Sequence, residues 1–374
     1  TEQGATVQVK IGNVTKTATV DSSGNWTVDF SSSDIPVGEY ATFMTITSTD
    51  QAGNVKEMKQ GVTVDTVAGD VALSSQPVEL DDVINAQEAS DGVIISGTAT
   101  PFMNVTVTLH GVSKVVTASA NGEWSAPFLS SEVASGEYIA NVSASITDAH
   151  GNSKSVSDTV EVDTLVTNFA MTTNPVAGDN VINAQELSDG VVLSGTVEAG
   201  STVQVKIGTN PAQSATVDAS GNWTITVDAG DVAGGELSSA VVVTATDAAG
   251  NTADISKDIK IDTIVTNLGI SAGAVAGDDV VNATEIEAGL TFTGTTEPGS
   301  TVMVSLDGGA PMQAAVAANG NWTVDFSESQ IPTGDKTVTM TVTATDAAGN
   351  VGTVSDTFDV DTVAPDAPAG DLLI

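Results

Sequence analysis

Apolar residues in this chain recur at every second position. "TVQVKIG" (202–208), "WTVDF" (322–326) and "TVTMTVTATD" (337–346) all alternate between apolar and polar, the period of a half-buried strand. Turn residues interrupt these runs about every eight to twelve positions, and no segment carries the period of a long amphipathic helix. The pattern predicts short strands joined by tight turns. Trp322, Val324 and Phe326 fall on one face of such a strand, as do Trp26, Val28 and Phe30. Their rings are therefore expected in the core rather than on the surface as sugar-stacking platforms.

Three landmarks show that the pattern is periodic on a larger scale. Trp26, Trp124, Trp223 and Trp322 are spaced by 98, 99 and 99 residues. Asp65, Asp163, Asp262 and Asp361, each followed by Thr, keep the same spacing, and so do Asp50, Asp148, Asp247 and Asp346 of "TDQAGN", "TDAHGN" and two copies of "TDAAGN". Independent markers with one period identify tandem repeats. A unit of about 100 residues with about seven short strands is the signature of an immunoglobulin-like sandwich; a β-helix has a much shorter period and a propeller blade about half this length. The expected fold is all-β: tandem immunoglobulin-like β-sandwich domains stacked end to end in an elongated rod. The boundaries are a partial domain over 1–65, domains over 66–163, 164–262 and 263–362, and a linker over 363–374. Thr6–Gly12 corresponds to Thr202–Gly208, and the first repeat has no counterpart of "GDNVINAQE" or "GVVLSGT". Residues 1–65 are thus expected to lack two strands and to be exposed or poorly ordered, and the chain reads as an excerpt of a longer array.

Charge narrows the function. The chain carries 48 acidic residues against ten basic ones, all Lys, for a formal net charge of −38. Such a surface repels phosphate backbones and anionic lipid, so no nucleic-acid partner is expected. Nor is membrane insertion, because no apolar run approaches the ~18 residues needed to span a bilayer. The absence of cysteine removes disulfides and thiolate metal sites.

The acids also have a pattern. "LDDVINAQE", "GDNVINAQE" and "GDDVVNATE" occur once in each complete repeat. They fit the second half of an EF-hand loop, in which positions five, seven, nine and twelve supply oxygens to Ca2+. The candidates are Asp81, the Val83 carbonyl, Asn85 and Glu88; Asp179, Val181, Asn183 and Glu186; and Asp278, Val280, Asn282 and Glu285. The first half of the loop is missing, since Pro175 and Ala177 stand where further ligands belong, and Ca2+ takes six to eight oxygens. End-to-end stacking would supply the rest from the strand-end Asp of one repeat and the "TDAAGN" hairpin of the next. One junction would gather Asp81, Asn85, Glu88, Asp163 and Asp247; the next, Asp179, Asn183, Glu186, Asp262 and Asp346. Asp65 and Asp148 remain at the first, and Asp361 at the last. Carboxylates packed this way without a cation would raise one another's pKa values. Each motif also has a plainer reading: the loop as a capped helical turn, "TDAAGN" as an ordinary hairpin, and Asp-Thr as a polar exit to a linker.

In order, these motifs ("GD-x-VINAQE", "SGT-x-E-x-GS-TV-x-V", "GNW", "TDAAGN", "VDT") resemble the bacterial Ig-like repeats of giant type I-secreted and biofilm-associated adhesins of the RTX type. The resemblance implies a secreted, extracellular stalk on the bacterial cell surface. It would be rigidified by Ca2+ near domain junctions and hold a distal binding domain toward a host or abiotic surface, with roles in adhesion, biofilm and virulence. It also implies ligand roles for Asp179, Asn183, Glu186, Asp262 and their equivalents. The second repeat departs with "TATPFMN" where the others carry Glu198 or Glu297. The alternative is that the repeats themselves bind a host glycan or surface protein. An enzyme is not expected: His110 and His150 lie in different loops of one repeat, no Ser elbow is present, and the acids recur in every repeat, unlike an asymmetric catalytic pair.

Overall fold

The structure, a computed structural model, describes residues 1–366. The expected linker over 363–374 lies outside the described residues from 367 onward. The chain forms two compact units, Thr1–Leu165 and the segment from Val166 onward.

In the first unit, residues after Val71 build two facing sheets. One has the strand order Glu123–Phe128, Val93–Ala99, Val71–Leu73. The other runs Val83–Ile84, Ser153–Asp163, Glu137–Thr147, Asn104–Leu109, Val112–Thr117. Pairing is antiparallel except where Val83–Ile84 lies parallel to the end of Ser153–Asp163, with Glu161 opposite Val83 and Val162 opposite Ile84. The second unit contains this arrangement twice, each copy with a four-stranded and a five-stranded sheet. Alternation is the cause: Thr202–Ile207 buries every second residue, and Val203, Val205 and Ile207 are enclosed with Leu193, Trp223, Val241 and Val243.

The tryptophans anchor these cores. Trp124, Trp223 and Trp322 are 4%, 1% and 2% exposed, as the strand pattern predicts. Each indole lies against a glycine across the sheet, and the glycine is a packing requirement: a Cβ on Gly294 would stand 2.4 Å from the Trp322 ring and 2.1 Å from the Gly269 carbonyl. The indole Nε1 of Trp322 donates to Thr295 O at 3.1 Å.

The first repeat departs from this pattern. It has a single sheet, ordered Val14–Thr19, Thr6–Ile11, Glu39–Thr49, Val55–Asp65, and its enclosed core is Val7, Val9 and Ala18. Trp26, Val28 and Phe30 face inward as expected and pack against this core, but they are only half-buried and their segment is irregular rather than a strand. In the other repeats this strand pairs with the "SGT" strand, as Trp223 does opposite Gly195, and the position of that strand in the first repeat falls outside the described residues.

Trp223→Ala should therefore destabilise the second unit by about 3–5 kcal/mol, the usual range for emptying a buried aromatic site. Trp26→Ala should cost less than about half of that range. Chemical denaturation of the two variants beside the parent chain measures the difference.

Candidate metal centres

Each complete repeat uses its acidic loop in the same way. After the loop, Ile84, Ile182 or Val281 is fully buried and pins it beside the end of the last strand. The next residue, Asn85, Asn183 or Asn282, caps a six-residue helix: α1 (Ala86–Asp91), α2 (Ala184–Asp189) or α3 (Ala283–Ala288). In α2 the Asn183 side chain accepts from the Glu186 N–H at 2.9 Å, and Glu186 Oε2 accepts from the Asn183 N–H at 3.0 Å. This reciprocal box satisfies two N–H groups that a helix start leaves unpaired. Asp81, Asp179 and Asp278 are exposed, and Oδ1 of each accepts the N–H of Val83, Val181 or Val280. The plainer reading of this loop, a capped turn, is thus built into the fold. Capping engages one oxygen of each Glu, and a carboxylate has about four lone-pair sites.

The hairpins are equally regular. Asp247 and Asp346, 8% and 7% exposed, accept from the backbone N–H four residues on, and their other oxygen accepts from the amide of Asn251 or Asn350, both at 2.7 Å. Asp50 with Asn54 and Asp148 with Asn152 repeat the geometry in more exposed form. At the strand ends, the Thr of each Asp-Thr pair accepts a glycine N–H: Thr66 from Gly38, Thr164 from Gly136, Thr263 from Gly235 and Thr362 from Gly334.

Within the second unit these pieces meet. Asn350 Nδ2 donates to Asp262 O at 2.8 Å, to Asp262 Oδ1 at 3.0 Å and to Asp346 Oδ2 at 2.7 Å. The Asn350 Oδ1 accepts from the Ala184 N–H at 2.8 Å, and Asn183 Nδ2 donates to Ala348 O at 3.0 Å. The strand end of the third repeat, its capped loop and the hairpin of the fourth are thus joined around one amide, with Asp262 only 3% exposed. Asp179 and Val181 are tied to each other within their loop. Glu297 adds a second tie, its Oε2 accepting from Thr266 N at 3.1 Å and lying 2.9 Å from Thr266 Oγ1; Glu198 does the same for Thr167 Oγ1 at 2.9 Å. In the turn that carries Glu297, the Thr296 and Ser300 hydroxyls are buried without a hydrogen-bond partner among the described residues.

The first unit contains a reduced version. Asn152 Nδ2 donates to Asp65 Oδ1 at 3.2 Å and Asp148 Oδ2 at 2.7 Å, and His150 Nδ1 lies 2.8 Å from Asp65 Oδ2. Asp65, Asp148 and His150 present ligand atoms within 4.8 Å of one another. No capped loop meets this group among the described residues. Asp163 lies in the first unit, opposite Glu137 and one pair beyond the Val162–Ile84 contact that leads to Asn85; Asp247 belongs to the second unit. Asp361 lies opposite Asn282 in the last repeat.

The amides Asn152 and Asn350, and the tie made by Glu297, were not among the candidates read from sequence. The Asn is the last letter of each hairpin motif, and the period alone marks it. Apart from His150 and the Lys260 ammonium, which donates to Asp262 Oδ2 at 2.8 Å, the groups gathered at these strand ends are oxygens and amide N–H groups, and oxygen donors suit a hard cation such as Ca2+.

The amide of Asn152 holds the Asp148 carboxyl below its ordinary value of 3.8, with the backbone N–H groups of Asn152, His150 and Gly151 adding to the effect against some desolvation. A depressed carboxyl contributes stability that is full above its ordinary value and lost as pH falls through the lowered one. In Asn152→Ala the Asp148 carboxyl should titrate closer to 3.8, as followed by carboxyl 13C chemical shifts.

Residues 177–262 and 276–363 match the bacterial Ig domain family, and residues 1–66 match the bacterial Ig-like domain family. Among curated proteins, no relative matches the chain. Among solved structures, a Ca2+-stabilized adhesin that helps an Antarctic bacterium reach out and bind ice is 33% identical, over 96% of this chain and 91% of that one, with a TM-score of 0.39. A 1.5-MDa bacterial ice-binding adhesin is 29% identical over 80% of this chain and 100% of that one, with a TM-score of 0.34. A tetra-tandem repeat in the extending region of a large adhesion protein is 23% identical over 97% and 93%, with a TM-score of 0.37. The family matches over 1–66, 177–262 and 276–363 carry the kinship. The chain belongs to the bacterial Ig-like domains, in tandem repeats.

Proposed function

We propose that this chain is a non-enzymatic stalk segment of a bacterial surface adhesin, outside the cell, whose domain junctions are stiffened by Ca2+. Four separate apolar clusters support a division into one partial and three complete domains along the boundaries expected from the repeats. The observation that carries the Ca2+ reading is the junction of the third and fourth repeats. There Asn350 bonds both Asp262 and Asp346 and accepts from Ala184, the first residue of the helix that Asn183 and Glu186 cap. Asn183 Oδ1 and the carbonyls of Asp262 and Ala348 add further oxygens. Glu186, Asp262 and Asp346 would hold the ion, and it would supply the positive charge that so acidic a chain lacks. The similarity to an adhesin described as Ca2+-stabilized supports the same reading. Asp81, Asn85 and Glu88 with Asp163, and Asp278, Asn282 and Glu285 with Asp361, would serve as further sets, and Asp65 with Asp148 as a reduced one. The role of a spacer, carrying a binding domain away from the cell, follows from repeats that share one framework with little local individuality.

Saturating Ca2+ at ~100 times its dissociation constant stabilises a folded state by about 2.7 kcal/mol per site. For a domain of this size that raises Tm by on the order of 10 °C. Thermal unfolding in millimolar Ca2+ and in EDTA is expected to show a rise of this order, and Asp262→Asn to reduce it in the second unit. Identical curves in the two conditions would overturn the Ca2+ reading.

A further inference from the structure

At the end of every long hairpin, two acidic residues face each other across the strands: Glu39 and Asp65, Glu137 and Asp163, Glu236 and Asp262, Asp335 and Asp361. Directly opposed side chains of an antiparallel pair have Cβ atoms about 4.5–5.5 Å apart, and like charges there are destabilising. The residue two positions before the strand-end Asp shares its face. That residue is Thr63, Glu161, Lys260 and Asp359 in the four repeats. Two repeats thus add a third acid, one adds a neutral hydroxyl, and the third repeat alone places a cation beside the pair.

We propose that the Lys260 ammonium is the resident counter-cation of the junction between the third and fourth repeats, holding this junction together where the other strand ends depend on an external divalent cation. The proposal rests on the Ca2+ reading above and adds that the junctions are unequal. Lys260 Nζ donates to Asp262 Oδ2 at 2.8 Å and lies 3.5 Å from Glu236 Oε1. Asp262 Oδ1 accepts from Asn350, so both oxygens of this buried carboxylate have a donor. Glu236 Oε2 lies 3.2 Å from the Thr266 hydroxyl, which also reaches Glu297 of the fourth repeat. The ammonium therefore neutralises the Glu236–Asp262 pair of the third repeat, which the fourth repeat engages through Thr266 and Asn350, and the hydrogen bond to Asp262 raises its own pKa. A divalent cation at Asp262 competes with Lys260 for Oδ2, so affinity at this junction is lower than at the others.

The test uses the full chain with two substitutions. Lys260→Thr installs the residue of the first repeat; Glu161→Lys installs a lysine in the second. Hydrogen exchange is followed by mass spectrometry over 262–268 and 346–352, in EDTA and in millimolar Ca2+, alongside Ca2+ titration calorimetry. In EDTA, Lys260→Thr should speed exchange in both segments about tenfold or more. Ca2+ should restore the protection, and the weakest Ca2+ affinity of the parent chain should tighten. Glu161→Lys should weaken Ca2+ binding while leaving 262–268 and 346–352 unchanged. Equal exchange of Lys260→Thr and the parent in EDTA, or, in a parent that binds Ca2+, a loss that Ca2+ does not restore, would overturn the role of Lys260. If the parent itself ignores Ca2+ while Lys260→Thr loosens the junction, the Ca2+ reading falls and the lysine clamp stands.

Discussion

The repulsion between facing acids at the strand ends is the constraint on which the junctions depend. A strand pair that ends in Glu236 opposite Asp262, with Asp262 nearly buried, is unfavourable in isolation. What makes it tolerable lies outside the pair: an asparagine from the next repeat, a lysine two residues back, and in our proposal a bound cation. The asparagine requires the neighbouring domain to stand in one place, and so would the cation. The electrostatic cost of the strand end thereby becomes a means of fixing one domain on the next.

The asparagine tie shows how much of that positioning is done by neutral groups. Asn350 uses its whole amide, donating to Asp262 and Asp346 and accepting from Ala184. It is 5% exposed, so its bonds form in a setting where an unmet donor would cost about 1–3 kcal/mol. The same side chain in the first unit, Asn152, is half-buried and reaches Asp65 at the longer distance of 3.2 Å. Asn350 is closed over by the capped loop, whose Ala184 N–H donates to it, and no such loop meets Asn152 among the described residues.

Much of this was legible in the sequence because it is periodic. Trp223 and the alternating strand of Thr202–Ile207 announce the sandwich, and three markers with one spacing announce the repeats. The strand-end Asp and the hairpin Asp were found in the same way. What sequence could not give was the company each keeps. Asn183 and Glu186 match ligand spacing and capping spacing equally, because both place an oxygen one helical turn from another. Asn350 looked like a turn residue, and its reach across the junction depends on the neighbouring domain. Trp26 has the right strand pattern but no partner strand among the described residues, so local alternation predicted burial that only a second sheet can supply. Lys260 is one of ten lysines and stands out only once the cross-strand register is known.

The family matches fix the type of repeat, and the stalk proposed for it turns on the chemistry of its junctions. The central claim is that the strand-end acids gather Ca2+. Isothermal titration of the metal-free chain with CaCl2 tests it most directly. Saturable heat with more than one class of site, abolished at one class by Asp262→Asn, is the predicted result. No saturable binding at millimolar Ca2+ would contradict it and leave the junctions to their amides and Lys260.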